Sequence, residues 1–558
     1  MISDLNDSSY PNKLKTDICV VGAGPAGITI ASQFIGSGFT VCLAESGGWI
    51  EDSRTQRLYD GDTIGHPVTL TRGRYRVFGG SATRWGGRSA TLDPIDFEQR
   101  SWVQNSGWPI SFDSLEKYYE KAKLVGNFKE PWVSDRDAMA SINRQMPCFR
   151  SGNIDPFVWR FSAPDLHRSL NTYLSLGWPN SFDWARSYAG LLKKDPKTNV
   201  ILHANLVGLS GENRGRHIKT AQFKSLNGHS VEVIAKAFVI CCSGIENARI
   251  LLNLPSGISS SMDGWDNVGR YFAQHPRGVI LTLQPTNESA IRLQRQFHKF
   301  YRPRYFPIHY ELGFALSERA QREFNLLNAS AAVYYSSANT SAWAAGRRLR
   351  ESLKSRSAYP SMISDLKRIL SGTGSFFENF IRKFILAHEL ILPNQNVSVV
   401  VDLEQEPNYS SKITLSDEVD ELGVRRAVID WKISEIERRT ARGFAKFITV
   451  ELEELGFGRA ELEPWVTSNA PVRQQDLRGI HHFIGATRMA RSSRDGVADE
   501  NCRVFGLDNL YIAGSSVFPT GGHANPTLTI VALAIRLADH LVTALQERVF
   551  ANSGGGQD

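Results

Sequence analysis

The chain has 558 residues, 42% of them hydrophobic and 22% charged, which is too long for one ordinary core and too balanced for a fibrous or disordered protein. Its net charge of +7, from 64 basic and 57 acidic residues, is a mild excess spread over a large surface and makes no electrostatic case for nucleic acid. The six cysteines, Cys19, Cys42, Cys148, Cys241, Cys242 and Cys502, form no C-x-x-C or metal spacing and read as small hydrophobes in a reducing compartment.

The N-terminal "MISDLNDSSYPNKLKTD" is polar, without an apolar stretch of the signal-peptide kind, and no run of about 18 apolar residues suggests a spanning helix. A cytoplasmic protein is expected. "DICVVG" follows, an apolar, β-branched run with the pattern of a buried parallel strand. Gly22, Gly24 and Gly27 then stand at G-x-G-x-x-G spacing. "PAGITIASQFIGSG" has helical periodicity, and "FTVCLAE" reads as a second strand ending in Glu45. The first glycine permits a tight turn, the second lets a pyrophosphate approach the backbone, and the third lets helix and strand pack closely. The helix start offers free N–H groups and a positive dipole end to the phosphates. Glu45, 18 residues after Gly27, stands where an acid binds ribose hydroxyls, which argues against a 2′-phosphate and leaves NAD or FAD.

Residues 72–97, "RGRYRVFGGSATRWGGRSATLDPIDF", form a glycine-dense loop suited to close approach of a flat or anionic ligand. "NVILHANLV" reads as one strand. "IKTAQFKS" and "VEVIAKAFVICCSG" alternate like a hairpin, and "GIENARILL" opens a helix after Gly244. From about residue 285 the texture changes. "PRGVILTLQP", "NASAAVYYS", "NVSVVVDLEQ", "SKITLSDE" and "RRAVIDWKI" suggest a mostly antiparallel sheet in a second domain. Within it, residues 346–384 are basic and amphipathic. They read either as helices with a solvated basic side packed on the sheet, or as a lid, a membrane-surface helix pair or a partner-binding face. The expected architecture is α/β: a discontinuous Rossmann-like nucleotide domain (14–100, 196–284 and 465–550) with a parallel sheet, a connector (101–195) and a substrate domain (285–464) on the antiparallel sheet.

The C-terminal part contains "HHFIGATRMA" and then "NLYIAG", a buried strand. "SSVFPTGGHA" is a loop, and "NPTLTIVALAIRLADHL" is a buried helix with Asn525 at the N-cap and Pro526 at the first helical position. Taken with "GAGPAG", "GGSATRWGG", "CSGIENARILL" and "NVGRYFAQHP", these motifs make the chain similar, nearly end to end, to the glucose–methanol–choline (GMC) oxidoreductases. Those are FAD-dependent enzymes acting on alcohols. The last block most resembles the pyranose-oxidase branch and related bacterial sugar dehydrogenases.

The resemblance implies FAD and a catalytic pair: a histidine in H-x-x-G, met by His482 before Gly485, and a His or Asn some 43–45 residues on, met by Asn525. It further implies cofactor contacts at Gly80, Ser81, Val207, Gly514, Ser515, Pro526 and Thr527, besides the glycines and Glu45 above. Two positions depart from the pattern. Some sugar oxidases of the family hold FAD covalently through a histidine in the "GG" loop, but the matching position here is Arg84 and no histidine lies between Gly79 and Gly87, so non-covalent FAD is expected. Family members often carry Gly-Asp where this chain has Gly514-Ser515.

The expected chemistry is oxidation of a secondary alcohol of a sugar, glycoside or sugar-bearing natural product. Hydride passes to flavin N5, His482 takes the hydroxyl proton, and Asn525 orients the oxygen. The N–H of Thr527 or Leu528 stabilises the reduced flavin. Oxygen or another acceptor completes the cycle. His523 either lines the substrate pocket or is a loop residue, and His275 reads as structural. If "HHFIG" is extended, neighbouring side chains point to opposite sides, so His481 faces away from the flavin. Other readings are a non-redox lyase of the same fold, an NADPH-dependent mono-oxygenase, and a dehydrogenase subunit passing electrons to a partner. A homo-oligomer and a partner or membrane contact through 346–384 stay open; no metal is expected.

Overall fold

The strand Lys13–Val21 runs parallel to Val41–Ala44 on one side and to Ser230–Ile240 on the other. Its last four residues are buried, as a two-faced strand requires. Parallel neighbours need a crossover, supplied here by the helix Pro25–Gln33. The sheet continues outward through Thr198–Leu202 to Ile2–Asp4. On its other side, Ser230–Ile240 divides its pairing: residues 230–234 meet His217–Lys224 antiparallel, and 238–240 meet Leu510–Ile512 in parallel. The structure is a computed structural model, which describes all residues except 8, 129–131, 142–144, 164–181, 295–309, 338–344, 347, 350–361, 372–394 and 555–558.

The expected single strand over "NVILHANLV" is two strands. Thr198–Leu202 pairs with Val41–Ala44, whereas Asn205–Glu212 pairs with His217–Lys224. The chain turns between them at His203, whose φ of 54° is incompatible with a strand.

A second sheet is antiparallel throughout, in the order Arg459–Leu462, Pro276–Gln284, Gln395–Leu403, Ala329–Ser337, Tyr310–Leu316, Ile154–Phe161, Arg88–Ser89. Alternation gives it two unlike faces. One is apolar, with Val399, Val401, Val333 and Phe314 packed under Phe444 and Ile448 of the helix Glu435–Glu454. The other presents Asp402, Tyr334, Glu311 and Trp159 around the small residues Ala332 and Gly313, with Ala332 paired to Gly313 and Glu311 to Trp159.

Pairing across the chain departs from the sequence expectation in two ways. "SKITLSDE" and "RRAVIDWKI" do not join this sheet; as Lys412–Val419 and Arg425–Trp431 they form a three-stranded sheet with Asp62–Gly65. Ile154–Phe161, inside the expected connector, and Arg88–Ser89 do join it. Alternation marks a strand but does not name its neighbour, which is a non-local choice.

The helix Thr527–Gly554 closes the fold. Its stretch Thr527–Glu547 is long and apolar enough to cross a membrane, but 61% of an apolar 18-residue window in it is buried inside the protein, and it packs against Pro25–Gln33 and Phe112–Val125. Of the segment 346–384, only 346, 348–349 and 362–371 belong to the described residues. The helix Met362–Ser371 turns Asp365 inward onto Arg348 and Arg368 and leaves Ile363, Leu366 and Leu370 exposed.

Candidate active site

At the nucleotide end the glycines divide their work as the spacing predicts. Gly22 has φ 99°, and a Cβ there would lie 2.7 Å from the Cys241 carbonyl oxygen. A Cβ on Gly27 would lie 1.9 Å from the Gly22 carbonyl oxygen, so only glycine lets the helix meet the turn. Gly24 caps Pro25–Gln33, and a Cβ on it would meet nothing within 4 Å. An open space therefore stands over the free N–H groups of this helix, a fit for a pyrophosphate. Gly80 (φ 58°) brings the "GG" loop to Gly24, where a Cβ would come within 2.9 Å of the Gly24 Cα. Ser81 is exposed and accepts the Tyr75 N–H. Val207 falls at the bulge between Leu206 and Gly208, outside the regular ladder.

Glu45 accepts, on its two oxygens, the backbone N–H groups of Ala23 (2.8 Å) and Gly47 (2.9 Å), which braces the glycine turn and leaves each oxygen a further lone pair for a ribose hydroxyl. Burial pushes its carboxyl up to about 7, against the opposing pull of those N–H groups. Sequence reasoning missed the charge cluster beside it. Glu246, in the first turn of the helix Ser243–Leu252, binds Arg74 (2.9 Å), Arg76 (3.0 Å) and Arg249 (3.1 Å), and Arg249 reaches Asp420 (2.6 Å). The recurring arginines of "RGRYR" were its only trace.

In the C-terminal part, residues 485–489 hydrogen-bond along Ser515–Val517: Gly485 N–H to the Ser515 carbonyl (3.1 Å), Thr487 to Ser516 (3.1 Å) and Met489 to Val517 (2.8 Å). The Ser515 hydroxyl, where relatives often carry Asp, donates to the Phe483 carbonyl at 2.6 Å and so anchors the histidine segment. A Cβ on Gly514 (φ 112°) would find only the Asn247 amide nitrogen, at 3.8 Å.

His482 and Asn525 come together: Asn525 Nδ2 lies 3.3 Å from His482 Nε2. The helix begins one residue later than expected, at Thr527, with the Pro526 carbonyl accepting its first bond from Ile530. The Asn525 side chain is therefore turned to His482 rather than capping the helix. Leu528 and Thr529 are buried in the first turn, whose N–H groups have no carbonyl of their own helix. His481 is left-handed (φ 63°), not extended, yet the two rings still part: His481 lies against Gly73 and Phe483, away from Asn525.

The residue read as structural, His275, is part of this group. Ala273 and Ile484 exchange both backbone hydrogen bonds (2.9 Å each), an antiparallel bridge that sets His275 opposite His482. Their Nδ1 atoms are 2.8 Å apart. Burial holds the His482 imidazole well below its ordinary range, with His275 and Arg277 acting in the same direction. Burial likewise lowers His275 to about 4. Both rings are neutral near pH 7.

His523 is buried, with Nε2 3.3 Å from Asp93 Oδ2 and its ring edge-on to Phe157. Burial lowers this histidine, but the Asp93 carboxylate outweighs it and the net shift is upward. On the nearby sheet face Asp402 holds Arg277 (2.6 Å) and Arg88 (3.1 Å). Arg88 also approaches Glu311 at 2.9 Å, out of line for a hydrogen bond, and lies over the Trp159 ring at 3.7 Å. Neither Glu311 oxygen has a hydrogen-bond partner among the described residues, although the residue is 1% exposed. Arg84 pairs with Glu51 at 2.6 Å. No cluster of metal-ligating side chains occurs among the described residues.

Residues 407–534, which include both His482 and Asn525, match the family model described as GMC oxidoreductase. The chain is 21% identical over 601 residues to the fructose dehydrogenase large subunit of Gluconobacter japonicus, covering 96% of this chain and 99% of that protein. It is 24% identical over 584 residues to 2-methyl-1,2-propanediol dehydrogenase of Mycolicibacterium austroafricanum, covering 94% and 95%. Among solved structures, pyridoxine 4-oxidase from Mesorbium loti superposes with a TM-score of 0.52 at 18% identity, over 94% of this chain and 99% of that one.

Proposed function

The chain belongs to the GMC oxidoreductase family, FAD-dependent enzymes that oxidise CH–OH groups, and from that premise we propose that it oxidises a secondary alcohol of a sugar or glycoside with His482 as base and Asn525 as the orienting group. The observation that carries this reading is the contact of Asn525 Nδ2 with His482 Nε2, at the start of a buried helix, in a chain whose N-terminal glycine turn leaves open space for a pyrophosphate.

FAD, when bound, would be held by the glycine turn and would supply the hydride acceptor. The chain's own residues do the rest. His482 Nε2 accepts the proton of the substrate hydroxyl, a task for which a neutral imidazole is suited near neutral pH. The Asn525 amide donates to the same oxygen and fixes the direction of the carbinol C–H, where an error of about an ångström is costly. The unpaired N–H groups at the start of Thr527–Gly554 offer positive potential to charge developing nearby.

Two observations support a hydroxyl-rich substrate. The sheet face near His482 carries the Arg277–Asp402–Arg88 ion pairs and the carboxylate of Glu311, which has no hydrogen bond among the described residues, and a buried carboxylate of this kind seeks a donor. The similarity to a fructose dehydrogenase subunit also runs nearly end to end. FAD is held non-covalently in this reading, supported by the Arg84–Glu51 pair where covalent relatives carry histidine; acid precipitation releases free FAD into the supernatant.

The test is anaerobic mixing of holoenzyme with a panel of sugars, glycosides and simple diols, followed by the flavin absorbance. Sugars or glycosides bleach the flavin, and His482→Ala slows that bleaching by about 100-fold or more while FAD stays bound. Unchanged reduction in H482A overturns the base assignment; reduction by simple diols alone overturns the sugar reading.

A further inference from the structure

We propose that His275 is a positioning residue that holds His482 in the Nδ1–H tautomer and so leaves Nε2 as the bare acceptor beside Asn525. The inference rests on reading His482 as the base.

The direction of the hydrogen bonds follows from one end of the chain of groups. His275 Nε2 faces the carbonyl oxygen of Gly521, at 3.4 Å. A carbonyl can only accept, so His275 carries its proton on Nε2. A neutral ring has one N–H, which leaves His275 Nδ1 as a lone pair. That lone pair is 2.8 Å from His482 Nδ1, which must therefore donate to it. His482, also neutral, then has a bare Nε2, and the Asn525 amide 3.3 Å away is oriented to donate to that atom. Every group has a compatible partner in this arrangement. In the reverse one, two lone pairs face each other at His275 and Gly521.

The backbone makes the contact inescapable. The Ala273–Ile484 bridge sets residues 275 and 482 opposite each other in an antiparallel pair. His275 is 1% exposed, which shields its Nδ1 from bulk solvent. Gly521 contributes by having no side chain: a Cβ there would lie 3.2 Å from His275 Nε2 and 2.7 Å from the Ile484 side chain. Partners behind an imidazole commonly fix which nitrogen is free to react.

The test reads the tautomer directly. Nitrogen-15 NMR of ring-labelled holoenzyme, with His482 assigned by its loss in H482Q, shows a protonated Nδ1 and a bare Nε2. In His275→Ala the His482 signals move toward a mixture of tautomers, and the rate of flavin reduction falls by about 10- to 100-fold. His275→Asn, which restores an acceptor near the Nδ1 position, recovers at least half of that loss on a logarithmic scale and covers the case in which H275A does not fold. A wild-type His482 carrying its proton on Nε2 overturns the proposal, as does an unshifted tautomer in H275A, or equal losses in H275A and H275N. Because the chemical shifts are read without turnover, they decide the tautomer even if H482A shows that His482 is not the base.

Discussion

His482 can accept a proton only while neutral, and its burial beside His275 and Arg277 keeps it so. In the proposed reaction, reduction of the flavin scales with the unprotonated fraction, which falls as pH drops through the pKa of this ring. Because that pKa lies well below the ordinary value near 6.5, the acid limb of the reductive rate lies below it too. Stopped-flow reduction is therefore flat from about pH 8 to below pH 6.5, and a limb centred at 6.5 or higher contradicts the buried, neutral ring. At this scale the sequence showed much. The H-x-x-G pattern and the 43-residue interval pointed to His482 and Asn525, which the fold brings into contact. It could not show His275, which lies 207 residues away and meets His482 only through a bridge between two segments with no common motif.

The turn between Lys13–Val21 and Pro25–Gln33 separates the structural glycines from the one facing open space. Gly27→Ala puts a methyl group 1.9 Å from the Gly22 carbonyl and destabilises the apoprotein by about 3 kcal/mol. Gly24→Ala meets no atom within 4 Å, and its φ of −80° suits alanine. Thermal unfolding of apo G24A stays close to wild type, while FAD titration shows at least about tenfold weaker binding. Equal loss of stability in the two variants contradicts this division. The element itself was legible because its constraints are local: a buried run, a turn and a helix start are adjacent in the chain. The extra break at His203 was not legible, because "NVILHANLV" has strand composition throughout and only the different partners on each side separate its halves. The late start of the last helix has a similar cause, since Asn525 answers to His482 rather than to its own helix.

Across the molecule, Glu246 ties the 72–79 loop, the helix Ser243–Leu252 and, through Arg249, the hairpin residue Asp420. Burial alone would raise its carboxyl, but Arg249, Arg76 and Arg74 outweigh that and hold it at about 2. A folded pKa below the unfolded value of 4.5 means that the stabilisation is fully present above about pH 4.5 and is lost as pH falls toward 2. Glu246→Gln removes the shared anion from three guanidinium groups, and denaturant unfolding at pH 7 records a loss of about 3–5 kcal/mol. A loss under about 1 kcal/mol contradicts the role given to the cluster.

The amino-acid order by itself determined the nucleotide turn and the two kinds of sheet, because sterics and periodicity act between neighbours and leave their mark in short stretches, and its motifs carried the resemblance that singled out His482 and Asn525. Only the tertiary structure decided which strands pair, that 412–431 leaves the antiparallel sheet for Asp62–Gly65, that Glu45 braces its own turn, and that His275 stands behind His482. Those outcomes depend on which distant backbone groups satisfy one another once the core has closed, and no interval along the chain encodes that choice.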